Sequence, residues 1–427
     1  MITPLCDGSV EAGRRLEKLR GRAVGGGRVA RDVARIIADV RRRGDKAVFE
    51  YTQRLDGVRL SPRRLQVGPE EIKRACAGLD SETYRALKKA HTRIGRFHRL
   101  QRERGFELRE AGVRTEMRIT PLEKVGVYVP GGRASYPSSV LMNVVPAKIA
   151  GVADITVVTP PSVDGVSAAV LAAADLAGAT RVLQIGGAQA IAALAYGTRS
   201  IERVDKIVGP GNAYVAEAKR AVFGQVDIDM VAGPTEVLIV ADGTARADFV
   251  AADMLAQAEH DPLAASLCVT TSRRLAAGVV TELKRQLPAL ERRAVARRSL
   301  ARFGTILLVR SMSRAIEVAN QIAPEHLELL VAEPRRLLGR IKNAGAIFLG
   351  QYSTEPLGDY IVGANHVLPT GGSARFASPL GVYDFVKRTS IIEVSRSGLR
   401  RLAGPAIVLA GSEGLGAHAL AVSRRLG

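Results

Sequence analysis

Between residues 120 and 350, short runs of β-branched residues alternate with Ala-rich stretches, and this alternation occurs twice. The first set of predicted strands is 125–129, 155–159, 182–185, 204–208 and 226–230, and the second is 237–241, 266–270, 305–309, 327–331 and 346–349. Strands that alternate with helices form parallel sheets covered by those helices. We therefore predict an α/β fold with two Rossmann-like parallel-sheet units, at 120–233 and 234–350. Their similar length and order favour an internal duplication, although no residue-level repeat is visible.

The segments on either side of this core have other patterns. Residues 10–115 carry apolar positions at spacings near three and four, such as Val33, Ile36 and Val40, which predicts an N-terminal helical region over 1–119. After residue 350 the chain is rich in loop-forming residues, and it ends in an Ala- and Leu-rich stretch at about 403–425. We predict a loop-rich segment and then a helical tail over 351–427, with the tail packing on a neighbouring element or a partner subunit.

The chain carries 62 Lys and Arg against 42 Asp and Glu, a net charge of +20, so nucleic acid is the first partner to consider. The charge is uneven, since residues 1–120 hold +13 and residues 121–240 hold −1. The basic runs lie among acidic residues at helical spacing, and the few aromatic residues are not interleaved with them. Solvated helix faces explain the charge better, and we predict no nucleic-acid partner.

The sequence gives no sign of membrane insertion or export. No run reaches about 18 apolar residues, and the N-terminus lacks the basic start and apolar core of a signal peptide. The three cysteines, Cys6, Cys76 and Cys268, are too widely spaced to form a disulfide or metal-binding framework. These features predict a soluble, cytoplasmic protein with no membrane partner.

The predicted architecture favours a dinucleotide-binding enzyme, yet no Gly-x-Gly-x-x-Gly motif lies between a predicted strand and helix. Gly209-Pro210-Gly211-Asn212 does follow a predicted strand and open a helix. The free N–H groups at such a helix start could bind phosphate. A purely structural strand–helix turn explains the same residues, and both interpretations stay open.

Histidine is scarce, with six residues, so its placement is informative. His91 and His98 lie in a basic helical stretch, and we predict that both are at the surface. The other four histidines lie in compact polar clusters at 257–262, 324–328, 358–366 and 413–418.

The first, third and fourth of these clusters contain metal-ligating residue types. Gln257 and His260 are three apart, so a helix would place them on one face. Together with Asp359 and His418 they could offer two nitrogens and two oxygens to zinc, or to manganese or cobalt in its place. For each histidine alone, a satisfied structural role is the competing interpretation.

Glu325 and His326 are adjacent at the start of a predicted strand, where both side chains can reach one edge of a cavity. A neutral imidazole can take a proton from an alcohol, and a carboxylate can activate water. Helix-end capping with a solvated Glu325 is the competing interpretation.

Cys268 lies within the apolar predicted strand 266–270, with no histidine nearby in the sequence. A catalytic thiol is one interpretation, since aldehyde-oxidising enzymes often use a cysteine nucleophile. We favour a small buried apolar side chain instead.

Taken together, these clusters resemble the histidinol dehydrogenase family. The matching segments follow the family order, and they are 125–132, 186–190, 204–212, 232–237, 257–260, 324–328, 365–372 and 413–418. The N-terminal segment up to Tyr51 is also similar to the start of that family.

The resemblance implies a zinc-dependent homodimer that oxidises L-histidinol to L-histidine through bound L-histidinaldehyde, with two NAD reduced in turn. The implied site residues are the zinc ligands Gln257, His260, Asp359 and His418, the last from the partner subunit; the substrate contacts Thr235, His326, Asp359 and Glu413 beside those ligands; the NAD contacts Tyr128, Gln189 and Asn212; and the acid–base pair Glu325 and His326. The resemblance also implies an incomplete Rossmann-like NAD site, which agrees with the missing glycine motif. His366 is a further candidate near the substrate oxygen.

One position departs from the family pattern. Thr235 stands where the family commonly has serine, so the hydroxyl is kept and a methyl group is added. This raises an alternative, a related zinc- and NAD-dependent dehydrogenase of another short polar alcohol such as a sulfonated propanediol. The segments 369–380 and 413–418 resemble the histidinol branch, which we favour.

Overall fold

The computed structural model describes residues 2–22, 26–131 and 135–427. Gly132, the last residue of one matching segment, lies outside these ranges. The N-terminal region consists of β1 (Leu5–Cys6), α1 (Val10–Arg20), α2 (Gly27–Arg43), α3 (Asp45–Asp56), α4 (Pro62–Leu65), α5 (Pro69–Gly78), α6 (Ser81–Arg99), β2 (Phe106–Glu110) and β3 (Val113–Pro121).

Two strand–helix units follow. The first consists of β4 (Lys124–Tyr128), α7 (Pro137–Ala150), β5 (Asp154–Val158), α8 (Ala168–Ala177), β6 (Arg181–Leu183), α9 (Gly187–Tyr196), β7 (Lys206–Val208), α10 (Ala213–Val222) and β8 (Asp227–Ile228). The second consists of β9 (Glu236–Ala241), α11 (Ala247–Ala258), β10 (Ala265–Thr270), α12 (Arg273–Gln286), α13 (Arg293–Phe303), β11 (Thr305–Leu308), α14 (Met312–Ile322), β12 (His326–Leu330) and β13 (Ala346–Leu349). The chain ends with α15 (Glu355–Tyr360), β14 (Val386–Val394), α16 (Arg396–Ser412) and α17 (Gly416–Ser423).

Each unit forms a parallel sheet, which confirms the predicted fold class. The first sheet has the order β6-β5-β4-β7-β8, and the second has β11-β10-β9-β12-β13 with β1 added beside β11. Both sheets therefore place their own strands in the order third, second, first, fourth, fifth. Every residue of β9 and β10 is buried, as expected for parallel strands covered by helices on both faces. The exact domain boundaries remain a prediction.

The predicted N-terminal helical region is correct for α1 to α6 but wrong at both of its ends. Leu5 and Cys6 pair with Leu307 and Leu308, so β1 is the edge strand of the second sheet. β2 and β3 form an antiparallel hairpin, which lies beside β14 in a third sheet of order β14-β3-β2. β14, in the segment predicted to be loop-rich, was not predicted either. These three strands carry many charged residues and lack the continuous apolar run of a buried parallel strand.

The apolar stripe of α2 packs against the first sheet's helices. Val33, Ile36, Ile37 and Val40 are buried in one cluster with residues of α9 and α10. Spacing of three and four residues places these side chains on one face of the helix. The N-terminal helices thus cover one side of the first unit, next to the cavity described below.

The surface position predicted for His98 is wrong, because this residue of α6 is fully buried. Its Nδ1 lies 2.8 Å from the Ile94 carbonyl, and its Nε2 lies 3.2 Å from Asn365 Nδ2. A carbonyl only accepts, so Nδ1 donates to it and Nε2 accepts from Asn365. His98 therefore holds the loop before His366 against α6. His91 is half-buried.

The tail is helical, as predicted, and it breaks at 413–415 between α16 and α17. Gly398 and Ala403 are its buried residues in α16, and α17 has none. Large apolar side chains are exposed along it, namely Leu402, Val408, Leu409, Leu415, Leu420 and Leu426. Within the described residues, no helix is both long and apolar enough to cross a membrane.

Candidate active site

The predicted acid–base pair lies where β9 and β12 begin, at the amino end of the second sheet. β12 starts at His326 and pairs with β9, so Glu325 and His326 meet Thr235 and Glu236 from the neighbouring strand. The last turn of α11 brings Gln257 to the same place, and the turn that follows the helix brings His260. α15 adds Glu355 and Asp359, which share a face because they are four residues apart.

Glu325 is held by two donors. Its Oε2 accepts hydrogen bonds from Thr235 Oγ1 at 2.5 Å and from the backbone N–H of Glu236 at 3.0 Å. Burial raises the pKa of Glu325 to about 8, and these two hydrogen bonds oppose that rise. The predicted competing interpretation, a solvated capping residue, is wrong, because Glu325 is buried.

His326 is buried and its tautomer follows from its partner. Nδ1 lies 3.1 Å from the backbone carbonyl of Glu236, which can only accept, so Nδ1 carries the proton. Nε2 is buried without a hydrogen-bond partner among the described residues, and it lies 3.8 Å from Asp359 Oδ1. Burial lowers the pKa of His326, which favours the neutral ring. His326 therefore presents an unprotonated nitrogen, the form required of a general base.

Ligating atoms of His260, Glu355 and Asp359 lie within 4.8 Å of one another, which is close enough for a metal ion. His260 and Asp359 are two of the predicted ligands. Glu355 was missed by sequence reasoning, and the signal that could have found it is its four-residue spacing from Asp359. Burial and the nearby charge of Asp359 raise the pKa of Glu355 well above its usual value.

The orientation of Gln257 bears on whether a cation fits here. Gln257 Nε2 donates to Thr235 Oγ1 at 2.9 Å, which leaves the amide oxygen facing the carboxylate of Glu355. With the amide reversed, its nitrogen would donate to Glu355 at 3.0 and 3.2 Å, but the Thr235 hydroxyl would then have to donate to Gln257 instead of Glu325. In the first orientation the amide oxygen of Gln257 and the carboxylate of Glu355 face each other, and a cation bound between them would interact favourably with both. The donor set therefore fits zinc or a similar divalent metal.

Two more buried carboxyl groups lie beneath this cluster. Glu328 Oε1 accepts from the backbone N–H of Glu355 at 2.9 Å, and Asp253 Oδ1 accepts from Thr354 Oγ1 at 2.6 Å. Burial raises the pKa of both carboxyl groups, and the nearby charge of Asp253 adds to the rise at Glu328. This pair fixes the start of α15 and thereby the position of Glu355 and Asp359.

A cavity of about 550 Å³ opens beside the pair and is lined by His326, Phe348, Asp359 and His366. His366 Nδ1 lies 2.8 Å from the Asp359 carbonyl and therefore donates to it, which leaves Nε2 as an acceptor. The cavity is large enough for a small polar molecule and part of a cofactor.

A second cavity of about 790 Å³ lies at the carboxyl ends of the first sheet, and the three predicted NAD contacts line it together. Tyr128 is buried and its hydroxyl accepts from the Gly187 N–H at 3.1 Å. Gln189 is fully buried with no hydrogen-bond partner for either amide atom among the described residues. Asn212 caps α10, since its Oδ1 accepts from Tyr214 and Val215. Ligands bind at this end of open parallel sheets, where the strand order reverses.

Glu413 and His418 stand apart from these groups within a single chain. Glu413 lies at the start of the break between α16 and α17, His418 lies in α17, and both are exposed. The structure of one chain therefore brings together Thr235, Gln257, His260, Glu325, His326 and Asp359, and leaves the two tail residues outside the cluster.

Cys268 lies inside β10, fully buried. Burial raises the pKa of its thiol to about 12. A thiol that stays protonated is a poor nucleophile, so the interpretation as a small buried apolar side chain agrees with the structure.

These features define an α/β enzyme with a buried, adjacent carboxyl group and imidazole, a donor cluster suited to a divalent metal, and a separate cavity at the carboxyl ends of the first sheet suited to a dinucleotide. Comparison with known proteins is more specific. The family model for histidinol dehydrogenase matches residues 22–426, and the chain belongs to the histidinol dehydrogenase family. It is therefore an enzyme of the dehydrogenase class.

Individual relatives agree. Histidinol dehydrogenase from Aquifex aeolicus is 56% identical over 395 residues, which cover 92% of each chain. The enzyme of that name from Syntrophotalea carbinolica is 54% identical over 399 residues, or 93% of each chain. The crystal structure of histidinol dehydrogenase from Elizabethkingia anophelis superposes with a TM-score of 0.93 at 35% identity, over 100% of this chain and 98% of that one.

Proposed function

We propose that this protein oxidises L-histidinol to L-histidine through bound L-histidinaldehyde, the last steps of histidine biosynthesis, in the cytoplasm. The observation that carries the proposal is the unprotonated Nε2 of His326, which lies 3.8 Å from Asp359 Oδ1, and both residues line the cavity. Family membership supports the substrate and the reaction. When bound, zinc would orient the imidazole and amine of histidinol, and NAD would accept hydride.

His326 and Glu325 divide the proton transfers between them. His326 Nε2 takes the hydroxyl proton of the alcohol, while Nδ1 keeps the ring in place through the Glu236 carbonyl. Glu325 removes a proton from the water that attacks the aldehyde carbon. Its raised pKa makes it a stronger base than an ordinary carboxylate, once it is ionised. A nearby cation favours the ionised form.

Gln257, His260 and Asp359 would hold the zinc ion, together with the partner subunit's His418. Six buried or partly buried carboxyl groups surround this region, those of Glu236, Asp253, Glu325, Glu328, Glu355 and Asp359. Among these six carboxyl groups, that of Glu236 forms an ion pair with Arg22. The excess of negative charge supports a divalent cation as the resident group.

Tyr128, Gln189 and Asn212 would bind NAD in the cavity at the first sheet. The amide of Gln189, which has no hydrogen-bond partner among the described residues, supplies polar groups there. Thr235, Glu413 and His326 would contact the substrate beside the metal ligands.

The tail supports a homodimer with shared sites, because its exposed apolar residues have no covering element within one chain as described. Mixing two inactive variants tests this. A dimer of one His260→Asn chain and one His418→Asn chain would contain one site with both intact ligands. Because random exchange makes about half of the dimers mixed, the mixture should regain about a quarter of wild-type activity. If His418 acted within its own chain, the mixture would stay inactive.

NADH absorbance with zinc, NAD and histidinol tests the reaction itself. We expect two NADH for each histidinol consumed. NADH formation with a sulfonated propanediol but not with histidinol would overturn the substrate while leaving the dehydrogenase class. Thr235→Ser is the companion variant, since it removes the one methyl group by which the pocket departs from the family pattern.

A further inference from the structure

Arg22 lies at the end of α1, outside both sheets, yet it reaches the back of the acid–base pair. Its side chain is 4% exposed and forms an ion pair with Glu236, whose side chain is equally buried. Nη1 also donates to the backbone carbonyls of Leu263 at 3.1 Å and Thr235 at 3.5 Å. Nε donates to the Leu19 carbonyl at 3.3 Å. The guanidinium group thus makes four contacts, and two of them are with residues 235 and 236.

Residues 235 and 236 in turn hold both members of the pair. The Thr235 hydroxyl and the Glu236 N–H bind Glu325, and the Glu236 carbonyl binds His326 Nδ1. The second carboxylate oxygen of Glu236 accepts from the Gly371 N–H at 3.1 Å. One dipeptide therefore faces Arg22 on one side and the reacting groups on the other.

We propose that Arg22 is a positioning residue, which sets the geometry of Glu325 and His326 through Thr235 and Glu236. This rests on the proposed function, because it assigns those two residues the proton transfers. A buried ion pair adds little net stability compared with apolar packing, so stability alone gives no reason for this pair. A fixed geometry does, because a shift of about 1 Å in a reacting group can cost about a hundredfold in rate.

The fork of the guanidinium group is essential to this role. It contacts a carboxylate and two carbonyls of neighbouring segments at once, which the single point charge of lysine cannot do. We expect Arg22→Lys to keep the charge opposite Glu236 and lose part of the alignment, and Arg22→Met to lose all of it.

The experiment compares kcat and KM for histidinol in Arg22→Met, Arg22→Lys and the control Arg15→Gln. Arg15 is also on α1, but its contact is with the Arg302 carbonyl, away from the pair. We expect kcat to fall about 10- to 100-fold in Arg22→Met and less in Arg22→Lys, with KM within about threefold and bound zinc unchanged. Arg15→Gln should match the wild type. Wild-type kcat in both Arg22 variants, with only a lower melting temperature, would reduce Arg22 to a structural role and overturn the inference.

A double variant tests whether the two side chains act as one unit. Arg22→Met with Glu236→Gln removes both charges, so its loss in kcat should be close to that of the worse single variant. Losses that multiply would show independent roles and contradict the proposal. The wild type is assayed in parallel: an inactive wild type would refute the proposed function, whereas an active wild type with equally active Arg22 variants would refute this inference alone.

Discussion

Glu325→Gln separates the two oxidation steps. The amide oxygen of Gln can accept the same hydrogen bonds from Thr235 and Glu236 that Glu325 Oε2 accepts at 2.5 and 3.0 Å. The variant therefore keeps the shape of the site and loses only the ionisable group. His326, held by the Glu236 carbonyl, is left in place to serve the alcohol step.

The expected magnitude follows from the role of a general base, which contributes about 10²- to 10⁴-fold in rate. At 1.36 kcal/mol for each factor of ten, the barrier to aldehyde oxidation should rise by about 3 to 5 kcal/mol. Alcohol oxidation should change by less than about tenfold. With a pKa of about 8, Glu325 is about one-tenth ionised at pH 7 and about nine-tenths at pH 9. Aldehyde oxidation by the wild type should thus rise with pH, with a midpoint at or below about 8, since a bound cation lowers that pKa.

The assay supplies L-histidinol and L-histidinaldehyde separately, with zinc and NAD, and follows NADH in each case from pH 6 to 9. Glu333→Gln is the matched control, because Glu333 is exposed and its ion pair with Arg336 lies at the surface. Equal losses with both substrates in Glu325→Gln would contradict the assignment. If aldehyde oxidation by Glu325→Gln still increased with pH as in the wild type, that result would also contradict the assignment.

Three further outcomes are expected. His260→Asn should release bound zinc, measured by metal analysis after dialysis, and full retention of zinc would remove His260 from the ligands. Burial raises the pKa of Glu325 from 4.5 to about 8. Between these pH values the folded metal-free protein binds more protons at Glu325 than the unfolded chain does. The free energy of unfolding therefore decreases as pH rises, by up to about 1.4 kcal/mol per pH unit for this group. Above about pH 6.5 histidine is neutral in the unfolded chain as well, so the lowered pKa of His326 no longer opposes this trend. The melting temperature after chelation should therefore fall from pH 7 to pH 8, less steeply with zinc restored, and a rise over that interval would contradict the burial argument. Cys268→Ala should keep most activity, and an inactive but folded variant would revive the nucleophile interpretation.

The parallel sheets could be predicted because most of their strands are short, largely apolar runs that alternate with stretches of helical periodicity. The antiparallel sheet could not, because β3 (Val113–Pro121) carries Arg and Glu at several positions and its partner β14 begins at Val386. When two strands that pair are so far apart in the sequence, neither segment's own residues indicate its partner. β1 is only two residues long, too short for any periodic signal.

Site residues could be predicted where residues of suitable chemistry are close together in the sequence. Glu325 and His326 are adjacent in the sequence, and the start of β12 delivers both to one place. Glu355 was missed because its importance depends on how α15 packs against β12. Arg22 was missed because its role also depends on tertiary contacts. In the sequence, nothing distinguishes this arginine from the other basic residues of the N-terminal region. The surface position predicted for His98 failed because a basic helix can still bury one side chain at its packed face.

The pairing of β1 with β11 also sets an order of events during synthesis. Leu5 leaves the ribosome long before its partner, Leu307. At about 5–20 residues per second, the interval is about 15 to 60 seconds. Throughout that time the first strand has no sheet to join, and the Arg22 side chain has no Glu236 until residue 236 is made. The first sheet, complete by residue 228, can form in the meantime. The amino terminus of the nascent chain is therefore among the last parts to reach its final place, and a slow phase in the appearance of activity should report its docking.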